Sequence, residues 1–245
     1  MRSSAAPKAA ETPSSPAESI SGKARVFTRP APIQSIGFLA RGGRRDICVD
    51  AVIELATLIG RLPSCIDLLD SASHRMMHCD VDLILLSRSP SDPIREPQQR
   101  AGDAILLSGA PLLLLPQRPS RHRLAGERAL IIWDGSLSAI SALRGAAPLL
   151  QHAKEIVLVN AIEGEARASL DSALAFLETL PGQRSIDETR LHLETKPLVL
   201  ETALLTGADY LVMGGFGRWN ALPDVVYGDT DSPFPRARLP LLLGQ

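Results

Sequence analysis

Two seven-residue runs narrow the architectures open to this chain more than any other feature. They are Val81-Asp82-Leu83-Ile84-Leu85-Leu86-Ser87 and Ala208-Asp209-Tyr210-Leu211-Val212-Met213-Gly214. Each places a polar residue before a near-continuous apolar stretch, the pattern of a strand buried on both faces. Each is followed by a polar stretch and a second short apolar run, Pro111-Leu112-Leu113-Leu114-Leu115 and Pro240-Leu241-Leu242-Leu243. The segments also open alike: Ile36-Gly37-Phe38-Leu39-Ala40-Arg41-Gly42-Gly43 stands where Leu130-Ile131-Ile132-Trp133-Asp134-Gly135-Ser136 stands later. The chain therefore reads as an incomplete internal repeat.

The offsets say where it is incomplete. Asp82 and Asp209 are 127 positions apart, but Arg41 and Asp134 only 93, so the first half lacks 34 residues between its first helix and its Asp82 strand. In the second half that interval holds a helix and a strand.

The second half alternates strands and helices. Arg128 to Trp133 is a strand, Asp134-Gly135 a turn, and Ser136 the N-cap of the next helix. Ile140, Leu143, Ala147 and Leu150 recur at helical spacing, and Pro148 is expected to kink the last turn. Glu155 to Ile162 is a strand, Ala166 to Leu180 a helix stopped by Pro181-Gly182, and Ile186 to Glu194 an alternating strand nearer an edge. Pro197 to Thr206 is a third helix ending at Gly207, followed by the Tyr210 strand, a long loop and the last strand. Alternating strands and helices imply parallel strands joined by right-handed crossovers. Ligands of such sheets bind beyond the carboxyl ends of the strands, where Asp134-Gly135-Ser136 and Gly214-Gly215-Phe216-Gly217 meet.

These two loops on this scaffold resemble the universal stress protein family, over most of residues 125–217 and more faintly over 33–117. The resemblance implies an α/β fold with two packed parallel sheets and flanking helices, of the adenine nucleotide alpha hydrolase-like kind, the first sheet incomplete. Beyond residues 1–30, it implies a degenerate, shortened half over 31–120 and a universal stress protein-like domain over 125–245. Many members bind ATP, so an adenine nucleotide is the implied ligand. Asp134 matches the acidic residue that contacts the nucleoside, and Ala161 a position whose backbone lies against adenine. Gly214 and Gly217 match the first glycine pair of the phosphate loop, where backbone N–H groups approach phosphate oxygens. Gly135 and Ser136 complete the first loop and Gly228 the second.

The chain departs from the pattern beyond Gly217. Gly228 follows after ten residues where the family has nine, and Asp229 stands where a serine or threonine is expected. A carboxylate there repels phosphate at close range. Pro233, Pro235 and Pro240 exclude the helix that would help hold the phosphates. In the first half Arg41 replaces the acidic residue and Ser87-Arg88-Ser89-Pro90 replaces the glycine pair, so no nucleotide site is expected there.

Composition closes off other classes. With 26 basic and 27 acidic residues, the net charge of −1 supplies no field for nucleic acid or an anionic membrane. Aromatic residues, at 4%, are too few for a base-stacking surface. No apolar run approaches the roughly 18–20 residues of a membrane span. Residues 1–30 are rich in Ser, Ala and Pro without an apolar signal core, so they read as a disordered tail rather than a secretory leader. Cys48, Cys65 and Cys79 form no disulfide pattern, and a reduced cytoplasmic setting is expected.

Other constellations have bland readings. His74 and His78 share a helical face near Cys79, but no second cluster completes a zinc site. Ser136 lies outside any Gly-x-Ser-x-Gly elbow. Gly42-Gly43-Arg44-Arg45 is a basic turn that could attract an anion. Asp134 could simply favour a turn. His122, His152 and His192 read as ordinary surface or loop residues. The expected function is a non-catalytic stress-response or regulatory protein with at most a residual adenine-nucleotide site in the second half; the alternative is an ATP-binding protein with weak hydrolysis. The strand Leu239–Gly244 carries few charges and would be exposed at an edge unless paired, either in a homodimer or between the two halves.

Overall fold

The computed structural model describes residues 27, 32–39, 45–60, 62–67, 81–87, 104–105, 108–116, 126–161, 166–190, 202–203, 205–215 and 239–245. Among these residues run nine strands: β1 Ser35–Leu39, β2 Ser64–Asp67, β3 Leu83–Ser87, β4 Leu112–Leu115, β5 Arg128–Trp133, β6 Glu155–Asn160, β7 Ser185–Arg190, β8 Tyr210–Gly214 and β9 Leu241–Gly244. They form one sheet in the order β2-β1-β3-β4-β9-β8-β5-β6-β7. Every neighbouring pair is parallel except β4 and β9. Helices α1 Arg45–Ile59, α2 Leu137–Gly145, α3 Ala147–Leu150 and α4 Leu170–Thr179 flank it. The class is the mixed α/β expected. The two expected sheets are continuous, because Leu112, Leu113 and Leu114 pair antiparallel with Leu243, Leu242 and Leu241. Strand β9 thus has β4 on one side and β8 on the other, which satisfies the backbone groups of a run that would make a hazardous free edge.

Both faces of the central strands are covered, as the unbroken apolar runs require. Successive leucines alternate between two cores: Leu113 and Leu115 enter the one shared with Leu55, Leu143 and Leu177, and Leu112 and Leu114 the one shared with Ile105 and Ala203. The helix face carries α1, α2, α3 and α4; the helical residues Ala104, Ile105 and Ala203 pack on the other. The half-buried Phe27 stacks on this helix-face core.

Local signals placed several elements. Strand β5 and the Ser136 cap lie where expected. The helix breaks at Ala146, and Pro148 lies in the first turn of α3, where its missing N–H costs nothing. Helix α4 starts at Leu170 rather than Ala166, because Ser169 caps the Ser172 amide while the Arg167 and Ala168 amides go to Gly135. Strand β2, with only Ser64-Cys65-Ile66-Asp67, is too short for a periodic signal and was not anticipated. Of the expected third helix, Thr202, Ala203, Leu205 and Thr206 are helical, and residues 191–201 lie outside the described residues. No helix among the described residues is long and apolar enough to cross a membrane.

The antiparallel seam decides what shares a rim. Pairings run from Leu83 opposite Ile36 to Leu112 opposite Ile84 and Leu243, and on to Gly244 opposite Gly214. The amino ends of β1, β3 and β4 therefore lie along the same rim as the carboxyl ends of β9, β8, β5 and β6.

Candidate functional site

At that rim the end of β5 turns sharply into α2. Asp134 Oδ1 accepts from the Ser136 amide at 2.9 Å, an Asx turn. Gly135 has φ +70°, and a β-carbon there would stand 2.5 Å from both the Ala166 Cβ and the Ala168 carbonyl oxygen. Its own carbonyl accepts from the Arg167 and Ala168 amides at 2.9 and 3.1 Å. The Ala161 amide donates to the Trp133 carbonyl at 2.7 Å. The turn is thus laced to the β6–α4 connection on both sides of Asp134.

Ser136 acts as the N-cap foreseen for it. Its Oγ accepts from the Ala139 amide at 3.1 Å and lies 2.8 Å from the Ser138 Oγ. The first turn of α2 also lies directly on β8. A β-carbon on Gly214 would be 2.5 Å from the Ser138 Oγ and 3.0 Å from the Ala139 nitrogen. The Gly215 amide continues the sheet, donating to the Gly244 carbonyl at 2.8 Å. Gly244 allows the same approach one strand over: its β-carbon would stand 2.2 Å from the Ala142 nitrogen and the Ser138 carbonyl.

The structure therefore gathers Asp134, Gly135, Ser136, Ala161 and Gly214 at one rim. Gly217 and Gly228 lie outside the described residues, as do His74, His78, Cys79, His122, His192 and the Gly42-Gly43-Arg44 turn. No group of three His, Cys, Asp or Glu side chains that could hold a metal occurs among the described residues. His152 is an exposed residue whose Nε2 lies 3.2 Å from the Leu58 carbonyl at the end of α1.

Sequence reasoning missed Ser138, Ala166, Ala168 and Gly244, which occupy the space around the turn and α2. The small side chains were the only signal, since their contacts come from other elements. Among the described residues, the rim offers the half-buried Asp134 carboxylate, with the Ser136, Ala139, Ala161 and Gly215 amides all given to protein acceptors.

Among the described residues, two buried polar atoms have no hydrogen-bond partner: the indole Nε1 of Trp133 and the hydroxyl of Tyr210. Burial pushes the Tyr210 phenol far above its usual range, with the Asp209 charge adding to the shift and Arg184 opposing it. Arg184, itself lowered mainly by burial, donates to the Leu150, Leu180, Pro181 and Gly182 carbonyls and so ties the end of α4 to the end of α3.

No protein-family model matches the sequence, and no curated protein matches it. Solved structures do. A functionally unknown protein from Pseudomonas aeruginosa PAO1 aligns over 86% of this chain and 92% of its own, with 14% identity and a TM-score of 0.51. A universal stress protein from Archaeoglobus fulgidus DSM 4304 aligns over 86% of this chain and 85% of its own, with 15% identity and a TM-score of 0.48. At these identities the likeness is one of fold.

Proposed function

We propose that this chain is a universal stress protein-like, non-catalytic regulatory protein of the cytoplasm, with at most a residual adenine-nucleotide site at the Asp134 rim. The observation that carries this reading is the use made of the loop donors. The Gly215 amide bonds to Gly244, and the side of Gly214 that lacks a Cβ is filled by Ser138 and Ala139. A phosphate loop needs such amides turned toward the ligand. Here the nearer glycines serve the packing of α2. Asp229 and the prolines that follow add to the case in sequence.

The strand order supports the tandem reading: outward from the seam it runs β4-β3-β1-β2 on one side and β9-β8-β5-β6 on the other, with β7 beyond. Pairing of β4 with β9 favours association of the two halves within one chain over a homodimer through β9. The balanced charge supports the absence of a nucleic-acid partner.

Isothermal titration with ATP, with and without magnesium, tests the reading. No heat at millimolar nucleotide is expected. Binding that disappears in Asp134→Ala would replace it with the alternative, an ATP-binding protein with weak hydrolysis.

A further inference from the structure

We propose that the outer edge of β7 is a docking site for an extended basic segment of another protein, added to the sheet as a further, antiparallel strand. Strand β7 ends the sheet, and among the described residues β6 is its one neighbour. The Ser185 amide donates to the Lys154 carbonyl at 2.9 Å, and the parallel register runs on from Ser185 opposite Glu155 to Arg190 opposite Asn160. Along a parallel strand, each residue turns both its backbone groups to one side, and the side alternates. Ser185, Asp187 and Thr189 therefore serve β6, while Ile186 and Glu188 present their amides and carbonyls outward. Such an edge is a template for strand addition.

The side chains fix the occupant. Ile186 is half-buried at the margin of the helix-face core, as are Leu170 and Leu174 of α4. An aliphatic side chain opposite Ile186 would project onto that same face. Asp187 and Glu188 are exposed on opposite faces of the strand. Arg184, the cation just ahead of them, is committed to the Leu150, Leu180, Pro181 and Gly182 carbonyls. A basic residue opposite each carboxylate supplies the missing charge. A second copy of the chain fits worse. The two antiparallel self-registers of greatest overlap are centred on Asp187 and on Glu188, and each sets a carboxylate against its own copy. The edge thus disfavours itself and favours a basic strand. The reading does not depend on whether a nucleotide binds.

The test is fluorescence anisotropy of the full chain with a fluorescein-labelled peptide, Thr-Thr-Lys-Arg-Val-Thr. Paired antiparallel, its Lys, Arg and Val stand opposite Glu188, Asp187 and Ile186. Saturable binding is expected, weakened by salt and several-fold weaker in Asp187→Lys and in Glu188→Lys. N-methylation of the peptide's Lys or Val amide, which would face β7, should abolish binding. N-methylation of its Arg amide, which would face away, should not. These peptide arms read the pairing without altering the protein. No binding at millimolar peptide, equal binding of a peptide with Glu-Glu in place of Lys-Arg, or indifference to which amide is methylated would overturn the proposal. So would a dimer of the chain alone in sedimentation that Glu188→Lys dissociates, because the edge would then belong to a second copy.

Discussion

Asp209 accepts a hydrogen bond at 2.9 Å from the backbone amide of Arg128, the residue that opens β5. Asp82 makes the same contact with Ser35, which opens β1, also at 2.9 Å, and takes further bonds from the Gln34 amide and the Ser35 hydroxyl. In return the Asp209 and Asp82 amides donate to the Arg128 and Ser35 carbonyls. Ser35 and Arg128 stand 93 positions apart and the two aspartates 127, the offsets that align the apolar runs in the sequence. Each aspartate holds the start of the strand beside its own.

Removing either aspartate leaves strand-opening amides without their acceptor. Asp82→Ala and Asp209→Ala are each expected to lower stability by about 1–3 kcal/mol. Urea denaturation would show this as a lower midpoint at an unchanged slope.

Gly244→Ala should be far worse tolerated than Gly60→Ala. A methyl group on Gly244 would meet backbone atoms of α2 at 2.2 Å, which only a shift of the whole helix relieves. Overpacking of this kind costs about 1–3 kcal/mol or more. Gly60 has nothing within 4 Å, so its φ of +71° sets the only penalty, about 1–2 kcal/mol. Thermal unfolding of the two variants should rank them in that order; equal melting temperatures would refute the close packing of β9 on α2.

Ser136→Ala should cost about 1 kcal/mol through loss of the α2 cap, and Ser136→Asp should retain most of that stability. Equal loss in both variants would mean that the hydroxyl's contact with Ser138, rather than the cap, is what matters.

Tyr210 predicts an alkaline limit. Its phenol titrates higher in the folded chain than in the unfolded one, chiefly through burial. The associated stability is complete below the unfolded value of about 10 and declines as pH rises above it. Tyr210→Phe should flatten that decline. Because the hydroxyl has no partner, the change should also leave stability at pH 7 equal or higher. Chemical denaturation at pH 7 and at pH 11 measures both effects.

The features readable from the chain alone are local. The ends of β5, the Ser136 cap and the break near Pro148 follow from side chains within a few positions of one another. The two Asp-led runs also revealed that the halves correspond, since a doubly buried strand needs an apolar residue at nearly every place. At the candidate site Asp134, Gly135, Ser136 and Gly214 were legible as a group because the strand order brings their loops to one rim, and Ala161 only through the family resemblance. Tertiary structure alone decided the orientation of the halves and the duty of the glycines. A run of leucines pairs equally well with any apolar edge in either direction, so nothing in Leu112–Leu115 announces an antiparallel partner in Leu241–Gly244. That seam set the start of β1 on the same rim as the end of β5. Gly214 reads in sequence as a place for a ligand to approach. Only the position of α2, set by packing across β8 and β9, shows that Ser138 and Ala139 already fill the space.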